Sequence, residues 1–385
     1  MARLDEIFDL QMGKTPSRNN ADYWTDGQYD WVSIADLGSN QKYVEDTKER
    51  ISALAVQESG IKSVPANTVI MSFKLSLGKT AITQEPVYTN EAIMAFIPTE
   101  KYAVLPDYFY YLFSAKDWTK GTNRAVMGTT LNKATLGAVS ITVPPIDEQR
   151  KIAAILDKVS DLIAKRRQQL DKLDEMVKAR FVEIFGEPDE NPKYWQEDEL
   201  SHHLKVIGGY AFKSDGFTDE GIPVLRIGNI NSGHFLPVNM VYWPDDLALA
   251  RYKVFPGDLV MSLTGTVGKD DYGNVCILGA DYDEYYLNQR NAKLSIERSL
   301  NKCYFSELLK FPRIKKRLTG ISRGIRQANI SNKDILTLRV PMPPIELQEQ
   351  FAAFVEQTEK TKIIISHSLE KLETLKKALM QEYFG

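Results

Sequence analysis

At 385 residues, with 43% hydrophobic and 26% charged side chains, the composition is that of a soluble globular protein with room for two or three domains. A net charge of −3 means that any nucleic-acid surface must be a local excess of cations and not a property of the whole chain. No 18-residue apolar stretch exists to span a membrane, and two cysteines, Cys276 and Cys303, are too few for a disulfide framework.

The opening MARLDEIFDL is acidic and has no apolar run, which predicts no signal peptide. With so few cysteines, this suggests a reducing, cytoplasmic setting. Residues 1–142 read as a mixed α/β domain. Gly13-Lys14-Thr15-Pro16-Ser17 is a turn cluster, and Trp31-Val32-Ser33-Ile34 has the look of a buried strand. Thr68 to Phe73 and Ala92 to Ile97 are further strands, and Gly78-Lys79 ends the first of them. Pro106-Asp107 opens an aromatic-rich helix. Residues 143–190 predict one long helix and a hinge rich in proline, glycine and acids, Gly186 to Pro192. Residues 191–341 predict a second mixed domain, and 342–385 a second long helix.

The long helices are duplicates. From Pro144 and Pro343 onward, 14 of 43 ungapped pairs are identical, whereas about two or three would match by chance. Both copies enter through Pro-Pro, which suits the start of a helix and not its interior. Each predicts about 38 helical residues, roughly 57 Å. Leu156, Val159, Ile163, Leu170, Leu173, Val177 and Ile184 form a stripe in alternating steps of three and four, broken at Arg166 and Arg180. In the second copy Val355, Ile365, Leu369, Leu372, Leu379 and Tyr383 continue it, with breaks at Thr358, Lys362 and Lys376. Two independent core helices would give such stripes. Mutual packing is favoured, because polar breaks in one copy face apolar residues in the other.

The domains repeat too, more weakly. Val224-Leu225-Arg226-Ile227 answers Trp31 to Ile34, Leu259 to Ser262 answers Val69 to Ser72, and Asn288-Gln289 answers Asn90-Glu91. Gly268-Lys269 falls as far after Ser262 as Gly78-Lys79 does after Ser72, which predicts that Lys79 and Lys269 are equivalent.

Catalytic signatures are scarce. His202, His203, His234 and His367 show no metal spacing with the cysteines, and the His202-His203 pair reads as solvated. Gly78-Lys79-Thr80 lacks the upstream glycine of a phosphate loop, Phe73 standing there, and Asp270 replaces the magnesium-binding hydroxyl in the second copy. Asn191-Pro192-Lys193-Tyr194 is a poor match to the motif of amino-methyltransferases, and no glycine-rich cofactor loop precedes it. The chain reads as a binder.

Two divergent domains alternating with two similar helices, entered by VPPIDEQRKIAAILD and MPPIELQEQFAAFV and ending in Phe-Gly, resemble the specificity subunit of type I restriction-modification systems. Leu347 stands where the first copy has Glu148. The resemblance implies a duplicated, pseudo-two-fold chain of two target recognition domains separated by antiparallel coiled-coil helices. Each domain would read half of a split, asymmetric site in double-stranded DNA, about one helical turn or ~34 Å apart. The helices would dock methyltransferase subunits, which carry S-adenosylmethionine, and motor-nuclease restriction subunits would join with ATP and magnesium. It implies no cofactor, metal or catalytic residue in this chain. A degenerate DNA methyltransferase and a pseudo-symmetric scaffold are the alternatives.

On that reading the DNA-facing candidates are Lys79, Arg124, Lys133, Arg226, Lys269, Arg323, Arg326 and Asn329. From Leu308 to Lys333 there is no acid but eight cations. Lys310 to Leu318 reads as the end of a helix, where cations also suit the dipole. Thr319 to Asn329 reads as a loop of side chains that bond bases and phosphates. Gly121 to Lys133 is its counterpart in the first half.

Overall fold

The computed structural model describes residues 1–38, 41–74, 76–119, 124–125, 128–129, 131–230, 233–266, 269, 271–320 and 327–385; at 124, 125, 128, 129 and 327 it describes the backbone. The chain forms two compact units, Met1–Arg167 with His367–Gly385, and Gln168–Ser366.

In the first unit, the strand Ala2–Arg3 pairs antiparallel with Ser140–Ile141. The chain therefore enters and leaves this head by neighbouring strands. A five-stranded sheet runs in the order Phe8–Met12, Ile93–Pro98, Val69–Ser72, Thr80–Thr83, Tyr43–Val44. Its central strand Val69–Ser72 is buried throughout, as its unbroken apolar run requires. Alternate residues serve two cores: Val69 and Met71 face one with Phe96, and Ile70 faces the other with Ala95. The predicted aromatic helix is Pro106–Ala115, with its proline in the first turn. It packs Phe109 on Phe8 at 5.0 Å and Phe113 on Phe96 at 4.5 Å between ring centroids.

The second unit repeats this plan. Glu197–Glu199 pairs with Arg339–Pro341, the strands on either side of its head. A four-stranded sheet runs Leu204–Gly208, Asn291–Ile296, Leu259–Ser262, Val275–Ile277. The parallel register Val224↔Tyr286 and Leu225↔Leu287 reproduces Trp31↔Tyr88 and Val32↔Thr89. The sequence equivalence of these strands therefore holds residue for residue. One expectation changes: the basic run is not the end of a longer helix but a helix of its own, Pro312–Thr319, started by Pro312.

The long helices are Ile146–Phe185 and Ile345–Phe384, 40 residues each. Within the first unit, Leu156 is fully buried in the core with Phe109 and Phe113, and Leu379, Met380, Tyr383 and Phe384 pack on that core. Arg167 meets Glu373 at 2.7 Å. An earlier residue of one helix thus meets a later residue of the other, so the helices run antiparallel there. The second unit gives the same sense, with Phe181 on Phe351 at 5.4 Å and Asp174 on Lys362 at 2.6 Å. The helices are both core elements of the heads and partners of each other.

The stripe is not uniform. Leu156, Val159, Ile163 and Val177 are buried, while Leu170, Leu173, Ile365, Leu369, Leu372 and Leu379 are half-buried. Its polar breaks are satisfied locally. The Thr358 hydroxyl donates to the Phe354 carbonyl at 2.9 Å, and Lys362 is held by Asp174 and Glu359.

Candidate nucleic-acid interface

A shared frame carries the candidate residues. Ser72 and Ser262 are fully buried strand ends, and each closes a loop with the same three bonds. The Ser72 amide donates to the Lys79 carbonyl at 2.9 Å, the Lys79 amide to Ser72 Oγ at 3.1 Å, and the Gly78 amide to the Ser72 carbonyl at 2.9 Å. In the second unit the Ser262 amide donates to the Asn274 carbonyl at 2.9 Å, the Asn274 amide to Ser262 Oγ at 3.1 Å, and the Gly273 amide to the Ser262 carbonyl at 2.8 Å. Gly78 and Gly273 have φ of +82° and +69°, the left-handed region that glycine adopts freely.

The structural counterpart of Gly78-Lys79 is therefore Gly273-Asn274. The expected equivalence of Lys79 with Lys269 fails, because the second loop holds five more residues and the ungapped spacing stops short of its closing glycine. Lys79 is exposed at the loop's end. Asn274 instead accepts the ammonium of the buried Lys315 on Oδ1 at 2.6 Å. Lys269 lies inside the longer loop, exposed, its amide donating to the Thr266 carbonyl at 3.0 Å. Gly268 lies outside the described residues.

A second pair of equivalent positions escaped the sequence reading. The Gly13 amide donates to Ile93 O at 3.1 Å and the Lys14 amide to Thr89 O at 2.8 Å; Gly209 and Tyr210 do the same to Asn291 O and Leu287 O at 3.2 and 2.8 Å. A Cβ on either glycine would sit 2.2 Å from a backbone oxygen, that of Asn90 or Asn288, so only glycine fits.

The other candidates divide. Arg226 is exposed, but its guanidinium donates to the Asn239 carbonyl and its amide to Asn229 Oδ1 at 2.9 Å, so it braces its own turn. Arg124 belongs to the strand Arg124–Ala125, paired with Gly128–Thr129. Lys133 is exposed and begins the helix Lys133–Gly137, capped by Asn132. Its counterpart is the helix Asn332–Leu336, capped by Ser331. The two segments are anchored alike, Leu131 N donating to Phe73 O at 3.2 Å and Ile330 N to Leu263 O at 2.8 Å. Arg323 and Arg326 lie outside the described residues. Asn329 is exposed on the strand Gln327–Asn329, which pairs with Thr264–Thr266. Asn329 stands opposite Thr264, and Lys269 follows the far end of the ribbon, where Thr266 pairs with Gln327.

In the basic helix and just before it, most cations are committed, Arg313 facing Asp189 at 4.0 Å. Lys310 bonds Glu307 at 2.6 Å, Arg317 donates to Arg339 O at 3.2 Å, and Lys315 is bound to Asn274. Of the His202-His203 pair, His202 is exposed as expected, whereas His203 is half-buried, and both are tied to one carboxylate. His202 Nδ1 and His203 Nε2 both bond the Asp198 carboxylate, at 2.9 and 3.1 Å. The His202 bond first, then the Glu199 amide, holds the Asp198 carboxyl down at about 2.

The family model described as "Type I restriction modification DNA specificity domain" matches residues 1–174 and again 192–374. Among curated relatives, the specificity subunit of the type I restriction enzyme MjaIX from Methanocaldococcus jannaschii is 28% identical over 275 residues, 66% of this chain and 62% of its own length. The MjaVIII specificity subunit of the same organism is 24% identical over 403 residues, covering 99% of this chain and 90% of itself. Among solved structures, the type I restriction-modification S subunit from M. genitalium superposes with a TM-score of 0.58 at 14% identity, covering 100% of this chain and 95% of that one. A chain from work on complex assembly and conformational transition of the type I R-M system gives a TM-score of 0.59 at 17% identity, covering 100% and 96%. These likenesses establish the fold. With a matching domain in each half of its sequence, the chain belongs to the family of type I restriction modification DNA specificity domains.

Proposed function

We propose that this chain is the DNA-specificity subunit of a type I restriction-modification complex. Its two heads bind the two halves of an asymmetric site in double-stranded DNA, about one helical turn or ~34 Å apart. The long helices hold the heads and dock methyltransferase subunits, and restriction subunits join that assembly in the cytoplasm. S-adenosylmethionine, ATP and magnesium belong to the partners, and no catalytic step falls to this chain.

One observation carries this reading. Ser72 and Ser262 close their loops with matching bonds, yet the loops differ in length and in the residue at the closing position, the exposed Lys79 in one and the half-buried Asn274, bound to Lys315, in the other. A single frame bearing different surfaces is what two readers of different sequences require. Lys79, Arg124, Lys133, Lys269, Arg323, Arg326 and Asn329 are assigned to DNA, and Arg226 to bracing the surface beside them.

The test replaces residues 191–341 with the corresponding head of a relative and maps methylated adenines in cells that carry the methyltransferase partner. The expected result is a change in one half of the methylated sequence alone. A change in both halves, or in neither, overturns independent reading. Absence of sequence-dependent methylation with the parent chain overturns the function itself.

A further inference from the structure

The second head carries a surface whose hydrogen-bonding side chains are unspent. We propose that its ribbon, Thr264–Thr266 with Gln327–Asn329, enters the major groove beside the turn 288–290, and that Arg290 and Asn329 read base edges there. This rests on the DNA-reading function above and names the residues that set specificity in one half-site.

Backbone bonds place the parts side by side. Leu263 donates to the Arg290 carbonyl at 2.8 Å and accepts from the Ile330 amide at 2.8 Å. Immediately beyond, Thr264 pairs with Asn329, Gly265 with Ala328 and Thr266 with Gln327. Arg290 and Asn329 thus flank the Leu263-Thr264 segment from opposite sides, offset by one residue. Gln289 is tied in through its amide, which donates to Tyr210 O at 2.8 Å.

The ribbon has an inner and an outer face. Ala328 is fully buried, and a Cβ on Gly265 would meet Asp271 and Tyr272, so this pair packs inward. Strand alternation then turns Thr264, Thr266 and Asn329 to the other face, where Thr266 and Asn329 are exposed. The major groove, about 12 Å wide, admits a two-stranded ribbon of this kind.

The chemistry separates these residues from several neighbouring cations of the unit. Lys293 is paired with Asp258, Lys253 with Asp245 and Glu284, and Arg226 with the Asn239 carbonyl. Gln289, Arg290 and Asn329 are exposed, and among the described residues their side chains bond nothing. Arginine and asparagine are the side chains that match guanine and adenine edges with two bonds each. The nearby acid, Asp271, is spent on the ribbon: its carboxylate accepts the Thr266 amide at 2.8 Å, which holds its pKa below the usual range.

The first head has the same frame here and different chemistry. Phe73 donates to the Ala92 carbonyl at 2.9 Å, so the buried Ala92 stands in the place of Arg290. Glu91 stands in the place of Gln289 and accepts the Thr15 hydroxyl. A place that keeps its backbone and changes its side chains between the heads is where their sequence preferences diverge.

The experiment uses the full chain in complex with its methyltransferase partner. Binding is measured at fixed salt to the parent's methylated site and to every single-base variant of it. Arg290→Ala and Asn329→Ala are each expected to weaken the parent site roughly 5- to 100-fold and to erase discrimination at one or two positions of one half-site. Arg290→Lys keeps the charge but not the two-pronged geometry, and is expected to regain affinity without regaining discrimination. Parent-like thermal unfolding of the variants separates these effects from misfolding. If discrimination at all positions survives in both alanine variants, or is lost equally in both half-sites, the assignment is overturned while the specificity function stands. If the parent complex shows no base preference, that function falls and this assignment with it.

Discussion

The backbone amide of Leu105 donates to Oε1 of Gln149 at 2.9 Å. Leu105 caps the helix Pro106–Ala115, and Gln149 lies in the first turn of the long helix, so one side chain fixes the angle between them. Nε2 of Gln149 also donates to Ala103 O and Pro144 O at 2.9 Å. The second unit repeats the device: Gln348 accepts from Asn301, the cap of Lys302–Leu308, at 2.8 Å, and donates to Pro343 O at 2.8 Å. Both glutamines are fully buried. This is the physical reason for glutamine three residues after the isoleucine of the Pro-Pro-Ile entry.

Gln149→Ala and Gln348→Ala should each destabilise their own unit by about 1–3 kcal/mol, because a buried amide and carbonyls lose their partners. Gln149→Glu should be worse, since it aims a carboxylate at two carbonyls in a buried site. Denaturant unfolding, followed by a probe in each unit, measures this; equal stability of parent and alanine variants would show that the clamp is dispensable.

Burial grades the helix stripe. Leu156→Asp and Val177→Asp place a charge at sites 0% and 4% exposed, and should cost upwards of ~3 kcal/mol. Leu173→Asp and Leu372→Asp fall on half-buried sites and should cost less, on the order of 1 kcal/mol. Thermal melting of the four variants ranks them, and a larger loss at Leu173 than at Val177 contradicts the ranking.

Lys79 and Lys269 are exposed lysines on differently built loops, assigned to phosphate. Alanine at either should weaken DNA binding evenly across sequences and lower the slope of log K against log salt by about 0.9. Asn274→Ala, at the true counterpart of Lys79, should leave that slope unchanged, because the position carries no charge. Titrations at several salt concentrations decide it, and an unchanged slope in Lys79→Ala removes that residue from the interface.

Asp198 gives a pH signature. Its folded pKa of about 2 lies below the ordinary 3.8, so its contribution is whole above pH ~4 and is lost as pH falls towards 2. An ionised carboxylate can only accept, so both ring nitrogens must carry the proton. Asp198→Asn should be less stable than the parent at pH 6, and the difference should close between pH 4 and pH 2. A gap that stays constant over that window would mean that the carboxylate charge contributes nothing.

The fold was legible where the sequence repeats itself. The Pro-Pro pairs stand immediately before the helices, which begin at Ile146 and Ile345, because proline suits a helix entry and not its interior, and the apolar runs at Trp31-Val32 and Val224-Leu225 fall in equivalent strands. Lys269 was misplaced because spacing cannot show an insertion: only the hydrogen bonds of Ser262 reveal that Gly273 closes the loop. Arg226 and Lys315 looked alike as cations, but the carbonyl and the amide that occupy them come from distant parts of the chain. A lone arginine such as Arg290 has no pattern in the sequence; what distinguishes it is an unspent side chain placed beside the ribbon by the bond from Leu263 to its carbonyl.

The closure at Ser72 and Ser262 also bears on how such a surface changes over generations. The ends of each loop are pinned by backbone groups and one hydroxyl, none of which depends on what lies between. Extending the span from Ser72–Gly78 to Ser262–Gly273 adds five residues, and ring-closure entropy grows only logarithmically with length, by about 0.5 kcal/mol here. Length changes within the loop, away from the core residues Leu263 and Tyr272 and the paired strand Thr264–Thr266, are therefore close to neutral for folding. A lineage can sample new loop lengths there without first acquiring a compensating mutation in the core.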